Sequence, residues 1–174
     1  GGLTRAGRAQ VPRPAALAAA LGLALPAAAG AEPLSASFAA TCLAAPGDLE
    51  ANRAAFAERA GGTPDTGPFY YGPFLGTARA VTRGGAASDL CMVTRMVGSE
   101  THFREALGAA EARISEAAGA PVARDCRGEP GKADCRWLYE SDGACREIVA
   151  LVREERVVSL ALYGYEAPCA EVSG

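Results

Sequence analysis

Three apolar runs with two-residue alternation, separated by short polar breaks, fill residues 134–165. The first break is Ser141-Asp142-Gly143, and an Asp-Gly pair supplies the positive φ that a tight hairpin turn needs. The second break, Arg153-Glu154-Glu155-Arg156, is fully charged and has to face water. This pattern predicts a three-stranded antiparallel meander. Trp137 and Tyr139 alternate on one of its faces and are expected in the core rather than as a stacking platform.

The first 31 residues have the composition of a secretory leader. Arg5, Arg8 and Arg13 precede an apolar run from Ala15 to Ala29, and small residues follow at the positions that a signal peptidase requires. The run is too short for a convincing membrane span. We therefore predict residues 1–31 as a signal peptide, cleaved after Ala31, and residues 32–174 as a single periplasmic or secreted domain. Removing the three arginines would take the net charge from −3 to −6.

An even number of cysteines in an exported chain favours disulfides over a metal site. There is no Cys-x-x-Cys pair, and the chain has one histidine, so a zinc site has little support. The six cysteines are Cys42, Cys91, Cys126, Cys135, Cys145 and Cys169.

Six cysteines allow fifteen pairings, and the predicted strands favour one of them. A turn-rich loop of eight residues separates Cys126 from Cys135, so its ends can meet. The third meander strand runs back past Cys145, and Pro168 can turn the tail so that Cys169 comes within reach. The predicted bridges are Cys42–Cys91, Cys126–Cys135 and Cys145–Cys169.

Two helices are predicted before the meander. The first begins at the N-cap residue Asp48 after a lead-in at residues 32–42, and ends at Gly61-Gly62. The second spans Ser99 to Gly119 and carries apolar residues at helical spacing. Between them, residues 78–83 and 90–97 read as two strands joined by residues 84–89, and the second strand is apolar on both faces, as in a central strand. Residues 122–133 read as a loop that starts with a short strand.

The segment from Gly61 to Thr77 is rich in glycine and proline and is predicted as a loop. It carries four aromatic residues, Phe69, Tyr70, Tyr71 and Phe74. One interpretation is that the rings cover an open end of the core, since large apolar side chains in small domains are mostly buried. The other is an exposed aromatic surface for a ligand or partner. We prefer the first and retain the second as the candidate recognition surface.

Motifs for chemistry are sparse. His102 is the sole histidine, and a grouping with Ser88 and Asp89 or Glu100 would be needed for a hydrolase, but no nucleophile-elbow sequence is present. A surface histidine near a helix N-terminus is the preferred interpretation. No phosphate-binding or dinucleotide motif is present, so no cofactor is predicted.

The acidic residues give no metal prediction either. Asp125, Glu129 and Asp134 surround the loop between two cysteines, without the spacing of a calcium-binding loop. The basic residues do not cluster along the sequence, so nucleic acid is not expected as a partner.

The leader, the alanine and arginine bias and the segment FAATCLAAPGDLEANRAAFAERAGG resemble small exported proteins of unknown function from high-GC alphaproteobacteria. The resemblance implies a periplasmic location and says nothing about a reaction.

The sequence as a whole predicts an α+β fold with two layers: an antiparallel sheet, made of a hairpin and the meander, and two helices on one face. It predicts a disulfide-stapled monomer without a membrane span after cleavage, and a binding, accessory or inhibitor function for an unidentified protein or small molecule. A small hydrolase using His102 is the alternative.

Overall fold

The computed structural model describes residues 32–65, 67–95, 108, 111–113, 115–116, 119–127, 134–153 and 157–172. Contacts divide the chain into Gly1–Gly30 and Ala31–Gly174, and every described residue belongs to the second unit. No helix among these residues reaches the length and apolarity that crossing a membrane requires.

Seven antiparallel strands form a single sheet in the order β1-β2-β3-β7-β6-β5-β4. The pairing of β3 with β7 joins the strands before residue 96 to the meander, which makes the sheet continuous. In chain order the strands are β1 (Phe69–Tyr71), β2 (Phe74–Arg83), β3 (Ala86–Arg95), β4 (Ala123–Arg127), β5 (Asp134–Ser141), β6 (Ala144–Arg153) and β7 (Val157–Gly164).

The meander prediction is confirmed. Strands β5, β6 and β7 pair in succession, and Ser141 faces Ala144 across the first turn. Asp142 and Gly143 both have positive φ, as a two-residue type I′ turn requires. Arg153 pairs with Val157 at the second connection, whose residues 154–156 lie outside the described part of the chain.

Within the described residues, three helical segments with defined bounds accompany the sheet. Helix α1 spans Leu34–Phe38 and continues into a π-helical turn at Ala39–Leu43, where the sequence predicted only a lead-in. Helix α2 spans Leu49–Ala60, and α3 is the short helix Cys169–Val172. Of the second predicted helix, residues 108, 111–113 and 115–116 are helical, and most of its other residues lie outside the described part.

Helix α2 forms as its sequence predicts. The Asp48 carboxylate accepts a hydrogen bond from the Ala51 amide at 3.0 Å, and Gly61 closes the helix with φ of 67°. Phe56 is fully buried and packs directly against Gly76 of β2, where any side chain would overlap the ring. The apolar side of this helix therefore lies on the β2–β3 part of the sheet.

Two predicted loops contain strands. Within residues 61–77, Tyr71 faces Phe74 across the Gly72-Pro73 turn, and the three residues of β1 contain neither glycine nor proline and pair with β2. Residues 123–127 form the edge strand β4, which is exposed along its whole length. Such a strand has no buried face, and its sequence therefore shows no apolar alternation.

The predicted hairpin is confirmed, but its strands are longer than predicted. Gly84 and Gly85, with φ of 57° and 83°, form a two-residue turn, and β2 and β3 pair directly on either side of it. The remaining residues of the predicted 84–89 connection belong to β3. This strand lies between β2 and β7, as its two apolar faces predicted.

All three predicted disulfides are confirmed: Cys42–Cys91, Cys126–Cys135 and Cys145–Cys169. The first ties the π-helical turn to β3 inside the main core. The second links facing residues of β4 and β5. The third holds α3 against β6, and Cys169 and Cys145 share a small apolar cluster with Leu138 and Tyr165.

The main core lies between α1, α2 and one face of the sheet. Trp137 and Tyr139 are buried in it, as predicted. The strand residues of this core share one face: Phe74, Ala78, Cys91, Val93, Cys135, Trp137, Tyr139, Ile148, Ala150, Val158, Leu160 and Leu162.

Candidate functional site

Strand alternation brings a set of charged residues to the opposite face of the sheet. Ile148 pairs with Leu162 on the core face, so the preceding residue, Glu147, points to the other face together with Tyr163. We call this second face the Glu147 face. Glu147 directly precedes the apolar run 148–152 of β6, and its side chain is almost fully buried.

A buried carboxylate has to be paired, and Glu147 is paired by three groups. Arg83, at the end of β2, donates from Nε to Oε2 at 2.9 Å and from Nη2 to Oε1 at 3.0 Å. The Tyr165 hydroxyl donates to Oε2 at 2.8 Å. Arg136 of β5 places Nε 2.6 Å from Oε1. We call Arg83, Arg136, Glu147 and Tyr165 the arginine site.

Each member of the arginine site reaches the carboxylate because of where its strand ends or pairs. Arg83 lies beside the Gly84-Gly85 turn, and its guanidinium lies 4.3 Å from the Tyr163 ring centroid, a cation–π contact that fixes its course over β7. Arg136 faces Val149, two residues beyond Glu147 on β6. Tyr165 follows directly after β7.

The pKa shifts in this site favour an ionised Glu147, a charged Arg83 and a neutral Tyr165. Burial opposes the charge on Glu147, but hydrogen bonds from Arg83 and Tyr165 and the nearby charges outweigh it and hold the Glu147 pKa below its ordinary value. The hydrogen bond to Glu147 raises the pKa of Arg83 further above its ordinary value. Burial and the hydrogen bond to Glu147 raise the pKa of Tyr165. The site therefore holds two positive charges against one negative charge at neutral pH.

Two cavities meet at the arginines. One, of about 360 Å³, is lined by Arg83, Arg136, Glu147 and Tyr165 together with Gly84, Ala86, Glu171 and Val172. The other, of about 180 Å³, is lined by both arginines and by Asp125, Arg127, Asp134, Cys135 and Val149. Arg83 and Arg136 are thus a wall shared by two cavities, with side chains 39% and 38% exposed.

The arginines retain donors that the carboxylate does not use. Glu147 engages Nε and Nη2 of Arg83 and Nε of Arg136. Within the described residues, no acceptor is recorded for Nη1 of Arg83 or for either Nη of Arg136. A guanidinium held by one edge and free at the other is arranged to bind a carboxylate or phosphate.

The four aromatic residues of the predicted recognition surface are divided by the fold. Phe69 and Phe74 are buried. Tyr71 is half-buried, its hydroxyl lies 2.8 Å from Ser37 Oγ, and its ring is 5.6 Å from that of Phe74. Tyr70 is 70% exposed. Three of the four rings therefore cover the core, as the preferred interpretation expects. The fourth, Tyr70, presents most of its surface to solvent.

The residues of the hydrolase alternative are not assembled in the described part of the chain. His102 and Glu100 lie outside it. Ser88 is buried, and its hydroxyl donates to the Gly164 carbonyl at 3.0 Å. Asp89 pairs with Gly164 across β3 and β7.

The acidic residues between the second pair of cysteines are also distributed. Asp125 forms an ion pair with Arg127 at 2.6 Å, Asp134 lines the smaller cavity, and Glu129 lies outside the described residues. Among the described side chains, no three of the histidine, cysteine or acidic type are grouped as metal ligands.

Sequence reasoning did not find the arginine site. One signal was present, since Glu147 lies on the same strand face as Val149, and a charged residue on a buried face needs a partner. Arg136 lies 11 residues away on the facing strand of the predicted meander, whereas Arg83 lies 64 residues away and is brought close only by the strand order.

Comparison with known proteins gives no relative: no protein-family model, curated protein or solved structure matches this chain.

Proposed function

We propose that the protein is an exported, non-catalytic binding domain of the periplasm, and that the arginine site recognises an anionic group of its ligand. The observation that carries this proposal is the pair of guanidinium groups held by one buried carboxylate at the wall between two cavities. A preorganised pair loses little conformational entropy when an anion binds. The larger cavity, about 360 Å³, falls within the size range of small-molecule pockets.

The export half of the proposal rests on the leader and on the three disulfides, which are typical of oxidising compartments. Protein recovered from a periplasmic fraction should begin at Glu32 when its N-terminus is sequenced. Recovery of only uncleaved chain from the cytosol would contradict export.

Binding is tested with a simple aliphatic carboxylate, 4-methylpentanoate, by isothermal titration calorimetry at low salt. We expect saturable binding by the wild-type domain. Arg136→Gln should weaken it at least tenfold, because one of the two cationic walls is lost. Arg136→Lys keeps the charge and the fold but loses the planar fork, and should also weaken binding.

The matched control is Arg79→Gln. Arg79 is an exposed arginine of β2 that lines neither of these cavities. The Arg79→Gln substitution removes one positive charge, as Arg136→Gln does, but leaves the arginine site intact. It should therefore leave the affinity for 4-methylpentanoate unchanged. Equal losses in Arg79→Gln and Arg136→Gln would reduce the effect to overall charge, and no binding by the wild-type domain would refute the proposed site.

A protein partner at the β1 edge is a second candidate. It rests on Tyr70, a tyrosine 70% exposed on a strand at the edge of the sheet. Exposed aromatic residues are enriched in protein interfaces, and edge strands offer unpaired backbone groups. Cross-linking from a photoreactive residue placed at position 70 in periplasm should then capture a protein that the same residue at position 62 does not.

A further inference from the structure

The larger cavity carries charges of both signs, and this narrows the ligand class. Arg83, Arg136 and Glu171 are all among its lining residues. Glu171 is exposed, and none of the described residues forms an ion pair with it. Its charge is therefore available to a ligand, in contrast to that of Glu147.

Glu171 is held in a fixed place. It belongs to α3, whose first residue is bridged to β6 by Cys145–Cys169. The Cys169 amide also donates to Glu140 Oε2 at 3.0 Å. A short helix fastened at two points presents its carboxylate with less freedom than a tail would, so a charge placed against it loses less entropy.

Two aliphatic residues also line this cavity. Ala86 of β3 and Val172 of α3 line it. A ligand that contacts the whole wall would carry a carboxylate for the arginines, a cationic group for Glu171 and an aliphatic portion for Ala86 and Val172.

We propose that the arginine site takes a small zwitterion of the aliphatic α-amino acid class, with the ligand carboxylate on Arg83 and Arg136 and its ammonium group on Glu171. This inference rests on the proposed function and deepens it, since it assigns a second recognition element to the same cavity. The ligand binds without covalent change.

Three probes with the same branched aliphatic side chain test the assignment by calorimetry at pH 7: L-leucine, 4-methylpentanoate, which lacks the amine, and 3-methylbutylamine, which lacks the carboxylate. We expect L-leucine to bind about fivefold more tightly than 4-methylpentanoate, because a partly exposed ion pair contributes up to about 1 kcal/mol. The amine alone should bind at least tenfold more weakly than L-leucine.

Glu171→Gln provides the residue test. It should abolish the advantage of L-leucine and should not weaken the binding of 4-methylpentanoate. The control is Glu166→Gln, which removes an exposed carboxylate from a neighbouring segment that does not line this cavity. Circular dichroism melts of both variants should coincide with that of the wild type, since neither carboxylate has a recorded partner in the described residues.

The outcomes separate the two proposals. Equal affinity of the two acids, or a Glu171→Gln variant that keeps the preference for L-leucine, overturns the zwitterion assignment and leaves the anion site standing. Failure of both acids to bind overturns the anion site and with it this inference.

Discussion

Glu147 is the residue on which the geometry of the arginine site depends. Its two oxygens accept hydrogen bonds from Arg83 and Tyr165 and form an ion pair with Arg136, and its side chain is almost fully buried. Glu147→Gln puts an amide in place of one oxygen, so a donor faces the arginine donors. We expect a loss of about 2 kcal/mol in the free energy of unfolding, below the roughly 3–5 kcal/mol of fully buried pairs because both arginines are partly exposed.

The loss should depend on pH in a defined direction. The Glu147 pKa is lower in the folded protein than its unfolded value of about 4.3, so the ionised carboxylate stabilises the fold above that pH. This contribution disappears as the pH falls through the folded pKa. Urea unfolding at pH 7 and pH 3 should therefore show a larger difference between wild type and Glu147→Gln at pH 7 than at pH 3. A difference of the same size at both values would contradict the assignment.

The neighbouring tyrosines of β1 form a matched pair for stability. Tyr71 packs against Phe56 and Phe74 and bonds to Ser37, whereas Tyr70 is mostly exposed. We expect Tyr71→Ala to lower the free energy of unfolding by about 2–3 kcal/mol and Tyr70→Ala by less than about 0.5 kcal/mol. Denaturant midpoints of the two variants measure the difference. Similar midpoints would mean that the Tyr71 ring does not contribute to the core.

The elements differ in how far their sequence defines them. Helix α2 has a capping aspartate, a C-terminal glycine and a buried phenylalanine, and the meander has strict alternation and an Asp-Gly turn, so local rules were sufficient for both. Strand β1 was missed because it is three residues long, and only the start of β4 was predicted because that strand is exposed along its length. Neither carries the alternation by which a strand is recognised.

The arginine site could not be predicted from these elements because it depends on their order. Arg83 and Glu147 meet only because β3 and β7 pair and place the β2 turn near the middle of β6. Alternation along a strand indicates which residues share a face, but not which strand is its neighbour. The disulfides were predictable because the cysteines lie at strand starts or on either side of a short loop. Their places in the predicted elements limit which cysteines can come close to one another.

The disulfides should contribute unequally to stability. Cys42–Cys91 closes 49 residues and lies in the core, whereas Cys126–Cys135 closes 9. The chain-entropy relation gives about 4 kcal/mol for the longer loop and about 2.6 kcal/mol for the shorter one. Paired replacement by alanine should therefore lower the unfolding midpoint more for Cys42 and Cys91 than for Cys126 and Cys135. The reverse ranking would show that loop closure does not govern the effect.

The described domain is a single seven-stranded sheet in which an N-terminal hairpin and a C-terminal meander are joined through β3 and β7. The arginine site draws Arg83 from the first part and Glu147, Arg136 and Tyr165 from the second. It therefore forms only when both parts of the sheet have paired. A recognition site built this way is positioned by strands rather than loops, which keeps its guanidinium groups in fixed positions.

Side-chain NMR of the arginines tests this site most directly. In ¹⁵N-labelled protein, the Nε–H signals of Arg83 and Arg136 can be assigned from the Arg83→Lys and Arg136→Lys variants and followed during titration with 4-methylpentanoate. We expect both signals to shift saturably with one common dissociation constant, while the signal of the exposed Arg79 stays in place. Unmoved signals for Arg83 and Arg136, or equal shifts of all three, would contradict the arginine site as the place where the ligand is recognised.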